Sequence, residues 1–372
     1  MALSLLVLER TGSVGQTAIT LAASAAPHLL GPIAGVLADR WRIRTLVVST
    51  NVLCGLLQTG MALAALNGIL SIPAIWAISA LSSVLAVLSQ PAEQTAIPHL
   101  VRVDVLVRAN ALMASGRQIA NIGGYLAGGI LVGWVGAPYA LLIDGLTFLV
   151  AALLIAQISF PNPQAGITFA LVLAEMRIGF RLFAATKFVR TLFIATFLLN
   201  VILAPIGALV PKRVLDVGGG AEGYGVYLTV GAFGLLLGSA LLASINARVS
   251  SEATYTVGLL SITVALLILG LFDVFLAMLV ASVFNGVGIA FVNISVASMI
   301  QTKISGGQSG LAFGTLMMVS ALGVPLTLIG LSSVLDSFPA SVFFLVMASL
   351  FLLVVLGWWI GIRSLRSPVT SS

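Results

Sequence analysis

Polar residues punctuate this chain at nearly regular intervals, and between them the apolar runs last about 20 residues without alternating polarity. That length suits helices crossing a ~30 Å hydrocarbon layer, whereas strands of a membrane barrel would be ~10 residues with alternating character. The pattern predicts spans at roughly 14–37, 45–66, 73–98, 110–134 and 138–158, then 191–210, 224–245, 255–272, 274–300, 311–334 and 341–362. Ahead of these eleven stands an apolar run at 1–8, MALSLLVL, which as a helix reaches only about 12 Å. The segment 159–190 is more polar. In it Met176, Phe180 and Phe183 recur at helical spacing with Arg177, Arg181 and Lys187 between them, predicting an amphipathic helix at the membrane surface.

Composition agrees with this reading and narrows it. Hydrophobic residues make up 60% of the 372, charged residues only 8%, and mean hydropathy is +1.17, which excludes a soluble enzyme. The net charge of +6 is spread over short loops, so it speaks for membrane orientation and against nucleic acid. A single cysteine, Cys54, excludes a disulfide framework or a cysteine metal site, and His28 and His99 match no metal spacing. No cofactor is expected. Nor does the start read as a signal peptide, for no basic segment precedes the apolar run and no small-residue cleavage site follows it.

With the turn at 38–44 placed in the cytoplasm, thirteen of the seventeen Lys and Arg residues fall on that side. Arg10, Lys212 and Arg213 fall on the other, and Arg117 lies within a span. The span 14–37 then runs inward, so residues 1–8 have the direction of the outer half of a first helix. The expected architecture is all-α, two six-helix bundles with a partial first helix. The N-terminal bundle covers 1–158, a cytoplasmic linker 159–190, the C-terminal bundle 191–366 and a tail 367–372.

At the cytoplasmic turn between the second and third spans stands GVLADRWRIRTLV, residues 35–47. Gly35 lets two helices approach, Asp39 can cap the following helix, and the arginines stay among headgroups. The stretch resembles the major facilitator superfamily motif G-x-L-A-D-R-x-G-R-R/K, with Gly35, Leu37, Ala38, Asp39, Arg40 and Arg44 matching and Arg42 and Ile43 departing from it. TGS at 11–13, HLLGPIAGVLADR at 28–40, QPAEQTAIPHLV at 90–101, RANAL at 108–112, GYLAGGIL at 124–131 and LIDGLTFL at 142–149 follow in the order of one branch. That branch is the macrolide and enterobactin exporters, also called transmembrane secretion effectors. Its ALxWLVLxxTGS is similar to the opening MALSLLVLERTGS. GYLAGG resembles the fifth-helix antiporter motif G-P-x-x-G-G, with Tyr125 in place of Pro; Gly124, Gly128 and Gly129 serve close packing or an antiport-specific role.

Ionisable residues inside spans are costly and so are candidates for function. Glu93, Arg117 and Asp144 are the candidates here. Glu93 and Arg117 fall at similar depth, and either a protonatable coupling site or a salt bridge locking two helices accounts for them; Asp144 can also be an interfacial residue. The resemblance implies a central cavity built from helices one, four, seven and ten, which points to Gln90, Gln94, Asn200, Asn285 and Asn293. Pro205, Pro325, Gly207, Gly286 and Gly288 fall where transporters bend. The glycine-rich PKRVLDVGGGAEGYG, 211–225, reads as an outer loop, and the chain holds no Walker motif, so an ion gradient, protons first, is the expected energy source.

Together these imply a secondary active transporter of the cell membrane, multi-pass, bacterial and monomeric, using alternating access. It would export small amphiphilic molecules such as drugs, macrolides or siderophores against proton entry, with membrane lipid as its surroundings and neither nucleotide nor nucleic acid as partner. Two alternatives stay open: a truncated, non-transporting remnant or scaffold, and an importer or lipid flippase of the same fold. If Glu93 is the coupling carboxylate, Glu93→Gln weakens solute efflux from proteoliposomes driven by a pH gradient while leaving expression intact; unchanged transport refutes the assignment.

Overall fold

A computed structural model describes residues 1–31, 42–100, 106–158, 187–244, 249–304 and 309–366. Every regular element among them is helical, and nine stretches are long and apolar enough to cross a membrane. They fall into two compact units, one within residues 1–173 and one within 174–372. The amphipathic segment expected from Met176 to Lys187 lies almost wholly outside the described residues, as do Gly35, Leu37, Asp39 and Arg40 of the cytoplasmic turn.

The first unit opens with α1 (Ala2–Thr11) and α2 (Val14–Ala25), and the TGS triplet between them is a complete reversal device. Gly12 takes the left-handed conformation at φ 65° and donates its N–H to Leu8 O at 2.8 Å, closing α1. Ser13 is the N-cap of α2 and accepts from the Gln16 N–H at 3.0 Å, while Thr11 Oγ1 donates back to Val7 O. Beyond Ala25 the helix tightens into a 3₁₀ turn, Ala26–Leu30. Then come α3 (Ile43–Leu66), α4 (Ile72–Leu100), α5 (Leu106–Val135) and α6 (Ala137–Ile155).

The second unit holds α7 (Lys187–Leu203), α8 (Ile206–Asp216), α9 (Gly220–Ser244), α10 (Ser251–Leu271), α11 (Phe275–Lys303), α12 (Ser309–Leu331) and α13 (Ala340–Arg366). Pro205 separates α7 from α8, and its carbonyl starts the new helix by accepting from Ala208 and Leu209. Two expectations change here. Residues 211–225 are not a loop: Pro211, Lys212 and Arg213 lie in α8, and α9 already begins at Gly220. Pro211, the sixth residue of α8, forgoes only the bond its N–H would have given to Gly207 O, and the helix continues through it. Pro325, by contrast with Pro205, lies inside an unbroken α12.

Gly286 and Gly288 do not bend their helix either. Both lie in the middle of the continuous α11, and each removes a side chain where another helix passes. A Cβ on Gly286 would overlap Gly231 O and lie 2.7 Å from Leu235 N in α9, whereas one on Gly288 would lie 2.8 Å from Gly258 O in α10. Gly234 and Gly258 return the contact, their own Cβ positions falling 2.6 Å from Val283 O and 3.0 Å from Gly288 O. α11 is therefore held between α9 and α10 at backbone distance. The first unit repeats the device once, with Gly55 of α3 against Gly145 of α6, each Cβ position 2.9–3.0 Å from the other's carbonyl oxygen.

Where helices end inside each unit, arginines meet their free carbonyls. Arg10 at the end of α1 donates to Ala65 O at 2.9 Å and Leu70 O at 2.8 Å, at the C-terminal end of α3. Arg213 at the end of α8 donates to Leu269 O and Phe272 O, both at 3.3 Å, at the C-terminal end of α10. Arg44, in the first turn of α3, donates to Ala156 O at the C-terminal end of α6. Arg213 also pairs with Asp273, but that carboxylate is 79% exposed and adds little, about 0–1 kcal/mol.

A steric test of the helix sandwich follows. Gly286→Ala forces α9 and α11 apart and costs about 1–3 kcal/mol, lowering Tm by roughly 2–10 °C. Gly330→Ala, with nothing within 4 Å of the added methyl, leaves Tm unchanged.

Candidate functional site

The interior of the first unit is not uniformly apolar. On α3, Thr50, Asn51, Cys54 and Gln58 recur at three- and four-residue intervals, and on α4 the series Ser79, Ser82, Ser83 and Gln90 does the same. Such spacing puts each set on one helix face. These faces enclose a cavity of about 460 Å³, completed by Ser24 and His28 beyond α2's midpoint, Leu3 of α1 and Phe148 of α6. A second cavity of about 490 Å³ adjoins it, with Gln58 and Leu3 belonging to both walls. Its polar lining comes from Asn121 of α5 and from Asp144 and Thr147 of α6, and Gly124 and Gly128 open its α5 wall.

Most polar side chains of the first cavity are tethered to their own helices. Thr50 Oγ1 donates to Leu46 O at 2.9 Å, Asn51 Nδ2 to Val47 O at 2.8 Å and Ser79 Oγ to Ile75 O at 2.7 Å. Gln58 Oε1 and Ser82 Oγ, by contrast, are buried without a hydrogen-bond partner among the described residues. In a membrane interior an unmade hydrogen bond costs about 1–3 kcal/mol.

The candidates from sequence distribute unevenly over this site. Gln90 lines the first cavity and Asp144 the second, together with Gly124 and Gly128; Gly129 is buried and lines neither. Arg117 is exposed on the surface of α5. Glu93 and Gln94 lie in α4 with side chains outside the described residues. Asn200 spends its amide on Thr196 O at 2.9 Å within α7, while Asn285 and Asn293 are half-buried and exposed residues of α11. Arg44, from the cytoplasmic turn, anchors α6 beside the cluster of Ile43, Leu46 and Val47 with Leu88 and Ile155.

Gln58, Ser82 and Asn51 were not among the expected site residues. A signal for them existed: the i, i+3, i+4, i+7 recurrence of polar residues inside two otherwise apolar spans. Ionisable groups drew the attention instead, because their cost in a membrane is higher.

In the second unit the polar links are structural. Lys303 at the end of α11 pairs with Glu252 at the start of α10 and lies 4.5 Å over the ring of Phe188 in α7, tying three helices at one end. Deeper in, Tyr255 packs against Trp358 at 4.5 Å between rings, and Trp358 Nε1 donates to Thr256 Oγ1 at 3.2 Å.

Helical bundles of apolar spans around small polar cavities define a multi-pass membrane protein with the fold of the major facilitator transporters. The chain belongs to the transmembrane secretion effector family, whose sequence profile matches residues 1–362. It is 22% identical over 329 residues to the uncharacterized MFS-type transporter YvqJ of Bacillus subtilis (strain 168), covering 86% of this chain and 77% of that protein. Among solved structures it is similar to the nucleoside transporter NupG, at 12% identity and a TM-score of 0.82, covering 98% of this chain and 95% of that one. It is also similar to a bacterial homolog of the human lysosomal transporter Spinster, in an inward-facing and occupied conformation, at 14% identity and a TM-score of 0.67, covering 97% and 96%. At these identities the likeness to both structures is one of fold.

Cys54, the chain's single cysteine, gives the first cavity a built-in reporter. Cys54 is 6% exposed, so small methanethiosulfonate reagents are expected to modify it slowly in the folded protein, and Ser83→Trp, which fills the cavity, slows the reaction further without affecting the rate in denaturant. Equal rates in both proteins would place the thiol outside the cavity.

Proposed function

We propose that this protein is a secondary active exporter that moves small amphiphilic molecules, of the drug, macrolide or siderophore kind, out of a bacterial cell through the plasma membrane in exchange for protons. Membership of a transporter family makes a small-molecule substrate the natural expectation. The observation that carries the rest is the pairing of cavities in the first unit. One is lined, among the described residues, by hydrogen-bonding groups with no carboxylate, lysine or arginine, and the other holds Asp144, about two turns into the apolar α6, with Gln58 lining both. A membrane-embedded carboxylate next to a solute cavity is a natural proton-binding group, because protonation removes a charge whose burial is expensive. Exchange then follows if the empty protein closes over a protonated Asp144 and the solute-loaded one over an ionised Asp144, in alternating access. Glu93, which shares α4 with the solute cavity's Gln90, is the second carboxylate that the same role fits.

Proteoliposomes holding a pH-sensitive dye test this reading. An imposed gradient of a transported drug, found first by a susceptibility screen in an efflux-deficient strain, is expected to drive proton movement in the opposite direction. Asp144→Asn abolishes the proton movement while drug exchange at equal concentrations continues. Proton flux unchanged in both Asp144→Asn and Glu93→Gln refutes the coupling; proton movement in the same direction as the drug refutes export by exchange.

A further inference from the structure

We propose that the groove between the start of α10 and the end of α13 binds a phospholipid with a primary-ammonium headgroup, of the phosphatidylethanolamine kind, with Glu252 receiving the ammonium. The inference stands apart from the transport reading, and its test requires no transport.

Place in the membrane is the first consideration. α10 contributes Ser250, Glu252, Ala253 and Val257 to the walls and α13 contributes Trp359 and Ile362, around a volume of about 460 Å³. From this groove two exposed apolar stripes run toward mid-membrane, Val257, Leu260 and Val264 on α10 and Trp359, Leu356 and Leu352 on α13. Their three- and four-residue spacing keeps each stripe on one helix face. A water-soluble ligand has no use for such stripes, whereas acyl chains lie along them. An exposed tryptophan near the end of a span, here Trp359, sits at the depth of the headgroups.

Charge is the second. At this membrane end stand Lys187 and Arg190 of α7, Lys303 of α11 and Arg363 and Arg366 of α13, and Glu252 is the one carboxylate there among the described residues. Such an excess of cations draws a phosphate. Yet the charged side chain lining the groove itself, among the described residues, is Glu252, which is 12% exposed and paired with Lys303. A carboxylate has about four acceptor positions on its two oxygens, so an ammonium adds to that pair without displacing it. A purely anionic headgroup brings like charge against Glu252, and the quaternary nitrogen of choline has no hydrogen to donate. An ethanolamine headgroup meets both conditions, its ammonium donating to the carboxylate and its phosphate facing the cationic end. Ser250 Oγ accepts from the Ala253 N–H at 3.3 Å, and a hydroxyl that accepts in this way still has a hydrogen for a phosphate oxygen.

Native mass spectrometry of the full chain, released from detergent after lipid is added, counts what this groove retains. The probes are palmitoyl-oleoyl phosphatidylethanolamine and its choline and glycerol counterparts. The wild-type protein is expected to retain the ethanolamine lipid at a concentration about tenfold lower than the other two. Glu252→Gln removes that preference, whereas Lys303→Gln, which breaks the ion pair and keeps the carboxylate, leaves it in place. Ala253→Trp fills the groove from an exposed position and also removes the preference, and it serves where Glu252→Gln fails to fold. Equal retention of the ethanolamine and choline lipids by the wild type, or tighter retention of the glycerol lipid, overturns the proposal. So does a preference that survives Glu252→Gln or Ala253→Trp, or one that Lys303→Gln abolishes as fully as Glu252→Gln.

Discussion

Inside a bilayer no water is available to the carbonyls that a helix leaves free at its C-terminus, and this architecture depends on satisfying them. Arginines from neighbouring helices do it at three places: Arg10 for α3, Arg213 for α10 and Arg44 for α6. A guanidinium suits the task because it reaches past the membrane edge, stays charged at every physiological pH and offers several donors to the negative end of the helix dipole. Each such bond joins two helices, so the same contact that ends one helix also sets its distance from another. Arg10 and Arg213 even correspond in role. One leaves the first helical segment of its unit to cap α3, and the other leaves the second half of a broken segment to cap α10.

Between their ends the helices are positioned by what is missing from them. With lipid on the outside, burying apolar surface gives little drive for helices to associate, and close backbone approach has to supply it through dispersion. Gly286 and Gly288 on opposite sides of α11, and Gly55 against Gly145, are where this happens. The arginine caps and glycine contacts divide the work: caps fix the helices at the membrane edges, and glycines fix them at mid-depth. What is left over is space. In the first unit α3 is drawn toward α6 by Gly55 and Gly145, and its other polar face, from Thr50 to Gln58, looks into the cavity shared with α4.

Legibility from sequence followed the same division. Apolar run length sufficed for nearly every span, since in a membrane length and burial are tied together by bilayer thickness. It failed at 211–225, where glycines and charges suggested a loop. Arg213 is only 8% exposed because two carbonyls and Asp273 receive it, and no local pattern announces a partner 56 residues away. It also misjudged Gly286 and Gly288, because a glycine that bends a helix and one that admits a neighbour look alike until the neighbour is placed. Within the site, Gln90, Asp144, Gly124 and Gly128 were recognisable one at a time. That Gln58 lines both cavities was not, for it depends on α3, α4, α5 and α6 meeting around one side chain.

A transporter of this kind faces conflicting demands on polar groups. It needs enough of them to hold a solute, but each one left unpartnered in the empty state destabilises the fold. The first unit resolves the conflict by letting serine, threonine and asparagine side chains bond to carbonyls of their own helices, which keeps the empty cavity inexpensive and leaves oxygen lone pairs facing inward. Gln58 Oε1 and Ser82 Oγ stand outside that arrangement, buried without a partner among the described residues. Gln58 also borders the cavity of Asp144, so one side chain of α3 lines both cavities of the first unit.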